Sequence, residues 1–240
     1  MRTKPIVHIF QDDWALQAAD VIQAAIEKTI AVRRKCSIML TGGTTVQQIY
    51  QLWARRSAFS SEQITYYFGD ERCVSAEHSD SNYGAACRSL FPGGVPRHIR
   101  IYRMEGDAQD FGAAARRYAM LLPEHIDVLL LGMGHDGHVA SLFPGDPAAT
   151  EMEQRVLTVV GPKRPHRRLT ITPRVLSDAC NIFLLATGEE KGETLSRALD
   201  EPHSVLELPV RLALNATWLL DQAAGQSLPG VLCAQSCVRG

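Results

Sequence analysis

No stretch of this 240-residue chain contains the roughly 18 consecutive apolar residues that a membrane-spanning helix needs. Nor is there an excess of either charge. Lys and Arg total 25 against 26 Asp and Glu, a net charge of −1. Broad binding to nucleic acid or to an anionic membrane therefore has no electrostatic footprint, and any anionic ligand must be held by a local cluster. With 18 glycines and 12 prolines the chain is neither collagen-like nor low-complexity, and 45% hydrophobic with 21% charged residues is ordinary globular composition. That is enough apolar material for a core without metal or disulfide staples. The six cysteines, Cys36, Cys73, Cys87, Cys180, Cys233 and Cys237, form no framework. They are expected to be reduced and mostly buried as small hydrophobes. Cys233 and Cys237 lack a second pair or a nearby His, so no zinc site is predicted. Residues 1–10 carry two basic side chains, but Gln11, Asp12 and Asp13 follow where a secretory signal would have an apolar core and a cleavage site. A cytoplasmic location is the expectation. No Gly-x-Ser-x-Gly elbow is present, which argues against a serine-nucleophile hydrolase.

What is present is alternation. Short apolar, β-branched runs at 6–10, 37–40, 64–68, 99–102, 127–131, 156–160, 169–172 and 181–186 read as strands. Between them lie amphipathic stretches that read as helices: one capped by Asp12 and running to about Val32, one ending near Ala54, and others at 82–90, 108–121, 190–199 and 217–224. This order predicts a single-domain α/β protein, three layers α/β/α, with a mainly parallel, Rossmann-like sheet covered by helices on both faces. Residues 225–240 read as a tail. Sheets of this kind bind ligands beyond the carboxyl ends of their strands, so chemistry is expected just after each strand.

Three segments stand there. Thr41-Gly42-Gly43-Thr44-Thr45 joins a strand to a helix; its glycines permit close backbone approach, and its hydroxyls and free amides suit an anion. The bland alternative is a tight turn with a Thr cap. It is not a P-loop, since no Gly-Lys-Ser/Thr follows. Asp70-Glu71-Arg72 ends the third strand and offers carboxylates and an anion clamp, or simply a surface ion-pair turn; Ser81 or Asn82 then caps a helix. The third segment runs from Gly132 through Gly134, His135, Asp136, Gly137 and His138 to Ser141, Phe143, Pro144 and Gly145. It contains a literal Gly-x-Gly-x-x-Gly, but Pro144-Gly145 interrupts the crossover helix that a dinucleotide site requires. What remains is Asp136 and His138 on a glycine-flanked loop, an imidazole that can exchange a proton near neutrality beside a carboxylate that would fix its tautomer. His135 and His138 have no well-spaced third ligand, so no metal is predicted. Lys191 sits in the first turn of a helix, against the dipole, a placement that a bound anion would relieve. Arg164 and Arg167 read as a solvated basic face.

Taken together, these blocks resemble the 6-phosphogluconolactonases, within the wider glucosamine-6-phosphate deaminase/isomerase (NagB-like) fold. The segment from Thr41 to Val46 is similar to that family's phosphate loop. Asp70 to Val74 with His78, Ser81 and Asn82 matches its second block, and Gly132 to Gly145 matches its most specific signature. Lys163 to Thr172 and Gly188 to Lys191 continue the correspondence, and Trp218 to Asp221 resembles its last helix. The resemblance covers about residues 5–224. Thr41 for Ser keeps a hydroxyl, and Val46 for Pro loses a helix-start residue but no ligand group. In the deaminase branch the His block continues Phe-Asn-Glu-Pro-Gly with a working Glu; here Phe143 occupies that place.

The resemblance implies hydrolysis of 6-phospho-D-glucono-1,5-lactone without metal or other cofactor. It implies His138 as the base on water, Asp136 or a neighbouring carbonyl as its orienter, and Asp70 as the alternative base. Gly42, Gly43, Thr44, Thr45, Arg168 and Lys191 would hold the phosphate, with Arg72 on phosphate or oxyanion. The expected partner is a sugar-phosphate lactone alone, with no nucleic acid or membrane, on a monomer or weak homo-oligomer. The rival readings are an amino-sugar-phosphate isomerase or deaminase, and a non-catalytic sugar-phosphate-binding module. A sensor of that last kind would normally carry an output domain, for which 240 residues leave little room.

Overall fold

A computed structural model of the chain describes residues 4–200 and 203–230. Its main sheet has seven strands in the order β1 (Ile6–Phe10), β10 (Thr217–Asp221), β9 (Asn181–Ala186), β6 (Val128–Gly132), β2 (Cys36–Leu40), β3 (Ile64–Phe68) and β5 (Arg100–Ile101). Every pairing in it is parallel. A parallel sheet is covered on both faces, and alternate residues of one strand enter opposite cores. Met39 and Leu129 pack on one side; Ile38, Leu40, Val128 and Leu130 pack on the other. The second side is closed by α1 (Trp14–Arg33), α2 (Thr44–Trp53) and α3 (Asn82–Leu90). The first is closed by α4 (Phe111–Leu121), α5 (Pro173–Ser177), α6 (Glu189–Leu199) and α7 (Gln222–Gln226). A small antiparallel sheet, β4 (Asp70–Arg72), β8 (Arg167–Ile171) and β7 (Val156–Val160), joins them there. The three-layer α/β/α arrangement with a Rossmann-like parallel sheet is the one expected.

Several local expectations change. Residues 217–224 are not a helix: Thr217–Asp221 is the strand β10, and only Gln222–Gln226 is helical. Trp218 and Leu220 face one core and Leu219 the other, all fully buried. A segment enclosed on both faces between β1 and β9 gains ladder bonds as a strand that a helix there could not make. The Asp12 cap is also replaced. Asp13 takes the N-cap position of α1 in a left-handed conformation (φ 42°), makes no side-chain cap, and its carbonyl accepts from Leu16 and Gln17. The 99–102 strand shrinks to two residues at the sheet edge, and α4 starts at Phe111 because Asp110 caps it, accepting from the Ala113 amide at 2.9 Å. Asp70–Arg72 leaves the main sheet altogether; Gly69 turns the chain into the antiparallel one. Cys36 is buried as expected, but Cys180 is exposed. Gly225 belongs to α7, whereas residues 231–240, with Cys233 and Cys237, lie outside the described residues.

Trp218 fills the core between β1 and β9, and its indole N–H donates to the Ala213 carbonyl at 2.8 Å. Replacing Trp218 with Ala should cost about 3–5 kcal/mol of stability, read from the denaturation midpoint.

Candidate active site

The switch in strand order lies between β2 and β6. These strands are neighbours, but the chain leaves β2 toward β3 on one side and leaves β6 toward β9 on the other. Parallel strands present all their carboxyl ends on one edge, so the loops after β2 and β6 diverge and leave a crevice between them. A cleft of about 470 Å³ occurs there, lined by Gly42 to Thr45, Asp70, Arg72, Asn82, Asp136, His138, Ser141, Phe143, Lys163, Arg168 and Lys191 among others. All the residues singled out from the sequence as catalytic or phosphate-binding therefore line one cavity.

The loop after β2 is anchored from below. The buried Tyr50 hydroxyl accepts from the Thr41 amide at 3.0 Å and donates to the Thr41 carbonyl at 2.9 Å. Gly42 is fixed by its neighbour: a Cβ there would stand 2.0 Å from Asn82 Oδ1. Gly43 (φ 105°) and Gly188 (φ 90°) hold the N-cap positions of α2 and α6, neither with a side-chain cap. The Gly188 amide is taken by the Asp221 carboxylate at 3.0 and 3.1 Å; neither glycine caps its own helix, and the positive ends of both dipoles point to the cleft. The Thr45 and Thr187 hydroxyls lie 3.4 Å apart and link the two loops.

The loop after β6 folds so as to bring His138 against Asp136. His138 Nδ1 and Asp136 Oδ1 are 2.6 Å apart, and the His138 amide also donates to that oxygen at 3.2 Å. The pair needs Gly134, since a Cβ there would fall 2.0 Å from His138 Nδ1 and 2.3 Å from Asp136 Oδ1. The Phe143 ring packs at 4.9 Å from the imidazole. Burial alone would raise the Asp136 carboxyl, but the hydrogen bond and charge of His138 overcome it and hold that group at about 2. With Nδ1 engaged by the carboxylate, Nε2 is the ring nitrogen free to exchange a proton.

The cations come from three elements. Arg72 on β4 is the direct cross-strand partner of Arg168 on β8. Like charges opposite one another in an antiparallel pair repel. Burial, and after it the Arg72 charge, depresses the basicity of Arg168. Arg168 is aimed by bonds from Nε to the Pro165 carbonyl and from Nη2 to the Lys163 carbonyl. Arg72 donates to the Asp80 carbonyl at 2.6 Å, while its buried Nε has no hydrogen-bond partner among the described residues. Burial also lowers Lys191, and Lys163 adds to that effect while Glu190 and Asp136 oppose it. No anionic side chain among the described residues forms an ion pair with Arg72, Arg168 or Lys191. An external anion fits that arrangement.

The neighbouring carboxylates divide their work. Glu71 accepts from the amides of Arg72, Asn82 and Tyr83 and from the Ser81 hydroxyl, so it caps α3 from outside the helix. Burial pushes its carboxyl up, only partly offset by those amides. Asp70 accepts from Asn82 Nδ2 at 2.9 Å and from Ser141 Oγ at 2.6 Å. Sequence reasoning did not single out Tyr50, Asn82, Ser141 or Lys163 as site residues. Ser141 carried a signal, a hydroxyl three positions beyond His138; Tyr50 and Asn82 act through contacts that only the fold creates. Among the described residues no three His, Cys, Asp or Glu side chains group as metal ligands would.

Comparison with known proteins points the same way. The family model for glucosamine-6-phosphate isomerases/6-phosphogluconolactonase matches residues 10–220. The 6-phosphogluconolactonase of Synechocystis sp. is 34% identical over 220 residues, covering 86% of this chain and 90% of that protein. That of Mycobacterium tuberculosis is 32% identical over 242 residues, covering 93% and 98%. Among solved structures, the 6-phosphogluconolactonase from Trypanosoma brucei superposes with a TM-score of 0.79 at 27% identity, covering 95% of this chain and 100% of that one.

The His138–Asp136 pair can be tested without any substrate. The Asp136 carboxyl should titrate near 2 by carbon NMR, below its ordinary 3.8. Because the folded value is depressed, the pair's contribution to stability is complete above the unfolded value and is lost as pH falls toward about 2. In Gly134→Ala the pair must separate, and the Asp136 titration should return toward its ordinary 3.8. An unchanged titration in that variant would contradict the pairing.

Proposed function

This chain belongs to the glucosamine-6-phosphate isomerase/6-phosphogluconolactonase family, and on that premise we propose that it hydrolyses 6-phospho-D-glucono-1,5-lactone to 6-phospho-D-gluconate. The observation that carries the proposal is the convergence, in one cleft of lactone-accommodating size, of a carboxylate-held imidazole and three cations that form no side-chain ion pair among the described residues.

In this reading His138 Nε2 takes a proton from water as the water oxygen attacks the C1 carbonyl of the lactone. The tetrahedral adduct collapses, the bond from C1 to the ring oxygen breaks, and the imidazolium returns its proton to that oxygen. The products are a free hydroxyl and a carboxylic acid, which ionises in solution. Asp136 keeps the ring in the productive tautomer and stabilises the imidazolium. General-base catalysis of this kind contributes about 10²–10⁴ in rate. The phosphate is held by the amides and hydroxyls of Gly42, Gly43, Thr44 and Thr45 with Arg168 and Lys191, and Arg72 faces the ligand on either phosphate or developing oxyanion. Each charge-assisted contact contributes about 1.5–3 kcal/mol, so two or three of them fix the lactone against the base. No step is routed through a metal ion. Phe143 beside the imidazole carries no transferable proton, which favours hydrolysis over isomerase or deaminase chemistry. The substrate is a small molecule, and the reading needs no nucleic acid, membrane or second subunit.

His138→Ala should lower kcat for lactone hydrolysis by about 10²–10⁴ with the fold retained, assayed by coupling to 6-phosphogluconate dehydrogenase and correcting for spontaneous ring opening. Near-normal turnover would remove His138 as the base. Lys191 offers a separate check. Because burial lowers its basicity, it loses its proton earlier than an ordinary lysine as pH rises. KM should therefore climb on the alkaline side of the profile, and Lys191→Arg should flatten that climb, since a guanidinium stays charged.

A further inference from the structure

We propose that Asp70 is a positioning residue whose carboxylate fixes the spacing between the His138 loop and the Gly42 loop, rather than a group that handles protons. The inference rests on the reading of His138 as the base.

The connections run in an unbroken line. Gly42 presses against the carboxamide of Asn82, so closely that no Cβ fits between them. The same carboxamide donates through Nδ2 to Asp70 Oδ1 at 2.9 Å and to the Asp70 carbonyl at 3.0 Å. The other carboxylate oxygen, Asp70 Oδ2, accepts the Ser141 hydroxyl at 2.6 Å. Ser141 is held a second time, its amide donating to Thr170 Oγ1 at 3.1 Å, and Thr170 is the cross-strand partner of Asp70. Single bridges from Met133 to Val139 and from Val139 to Leu142 brace the short loop between Ser141 and His138. Asp70 thus links Ser141 in the His138 loop to Asn82, against which Gly42 packs, and it is buried, 7% exposed.

Geometry also separates this role from that of a base. Both carboxylate oxygens face protein donors, and Asn82 and Ser141 are themselves fixed, Asn82 by the hydrogen bond its backbone amide donates to the Glu71 carboxylate. A neutral amide in the same place could keep both links: its oxygen accepts from Asn82, and its NH2 donates to the Ser141 hydroxyl oxygen. Position needs those two hydrogen bonds, whereas proton abstraction needs the charge.

Steady-state kinetics of lactone hydrolysis by Asp70→Asn, Asp70→Ala, Ser141→Ala and the double variant Asp70→Ala/Ser141→Ala test the point, with thermal melts to verify folding. Losing the tie lets the base shift against the anchored phosphate, and a displacement near 1 Å can cost about 10²-fold in rate. Asp70→Ala is therefore expected to lose about 10²-fold in kcat, with KM changed less than about threefold. Asp70→Asn should recover to within about tenfold of the parent and keep its pH profile. The double variant should be no worse than Asp70→Ala, because the two residues act as one link. An Asp70→Asn enzyme as inactive as Asp70→Ala, or additive losses in the double variant, would overturn the inference. If Asp70→Ala does not fold, the Asn and Ser141 variants decide by the same criteria. Retained turnover in His138→Ala would instead remove the base reading itself, a separate result from any of these.

Discussion

Two neighbouring parallel strands, β2 and β6, send their chains away in opposite directions, and the rest of the site follows from that divergence. Hydrogen bonding fixes the strands side by side, so the loops at their carboxyl ends must separate. The crevice is thus a product of topology and exists before any side chain fills it. The loop after β2 supplies amides and hydroxyls at the start of α2, and the loop after β6 supplies the imidazole. β9, on the far side of β6, brings Thr187, Gly188 and the start of α6 with Lys191 to the same edge. Where the chain leaves β3 it turns at Gly69 into the small antiparallel sheet, and that sheet supplies the arginines.

The electrostatics of the crevice favour an anion. Cross-strand register places Arg72 opposite Arg168, a juxtaposition that a sheet chosen only for stability would avoid. Main-chain carbonyls of residues 80, 163 and 165 aim the two guanidiniums without neutralising them. The carboxylates nearby are committed elsewhere: Glu71 to the start of α3, Asp136 to His138, and Asp70 to Asn82 and Ser141. The negative charge of the site is spent on geometry, which leaves its positive charge for a ligand.

Much of this was legible in the sequence, for identifiable reasons. The strands at 64–68, 156–160 and 181–186 and the helix at 82–90 are where patterning placed them, because apolar runs bounded by turn residues and a Ser cap are local signals. The rule that ligands gather after parallel strands led to the loops at 41–45 and 132–145 without tertiary information. The last strand escaped because Trp218, Leu219 and Leu220 form an apolar run too short for periodicity to assign. Its identity as a strand depends on β1 and β9, both of which lie earlier in the chain, ending at Phe10 and Ala186. The links through Tyr50 and Asn82 escaped for a related reason. A tyrosine in an amphipathic helix and an asparagine at a helix start each have an adequate local explanation, and their second role appears only when Thr41 and Gly42 arrive beside them.

The facing arginines have a consequence for the life of the molecule outside catalysis. An empty protein that stores like-charge repulsion at its centre gains stability whenever an anion enters, by an amount that grows with the logarithm of the anion's concentration. In the reading proposed above, a sugar phosphate held between the two arginines would raise the protein's resistance to heat as its concentration rises.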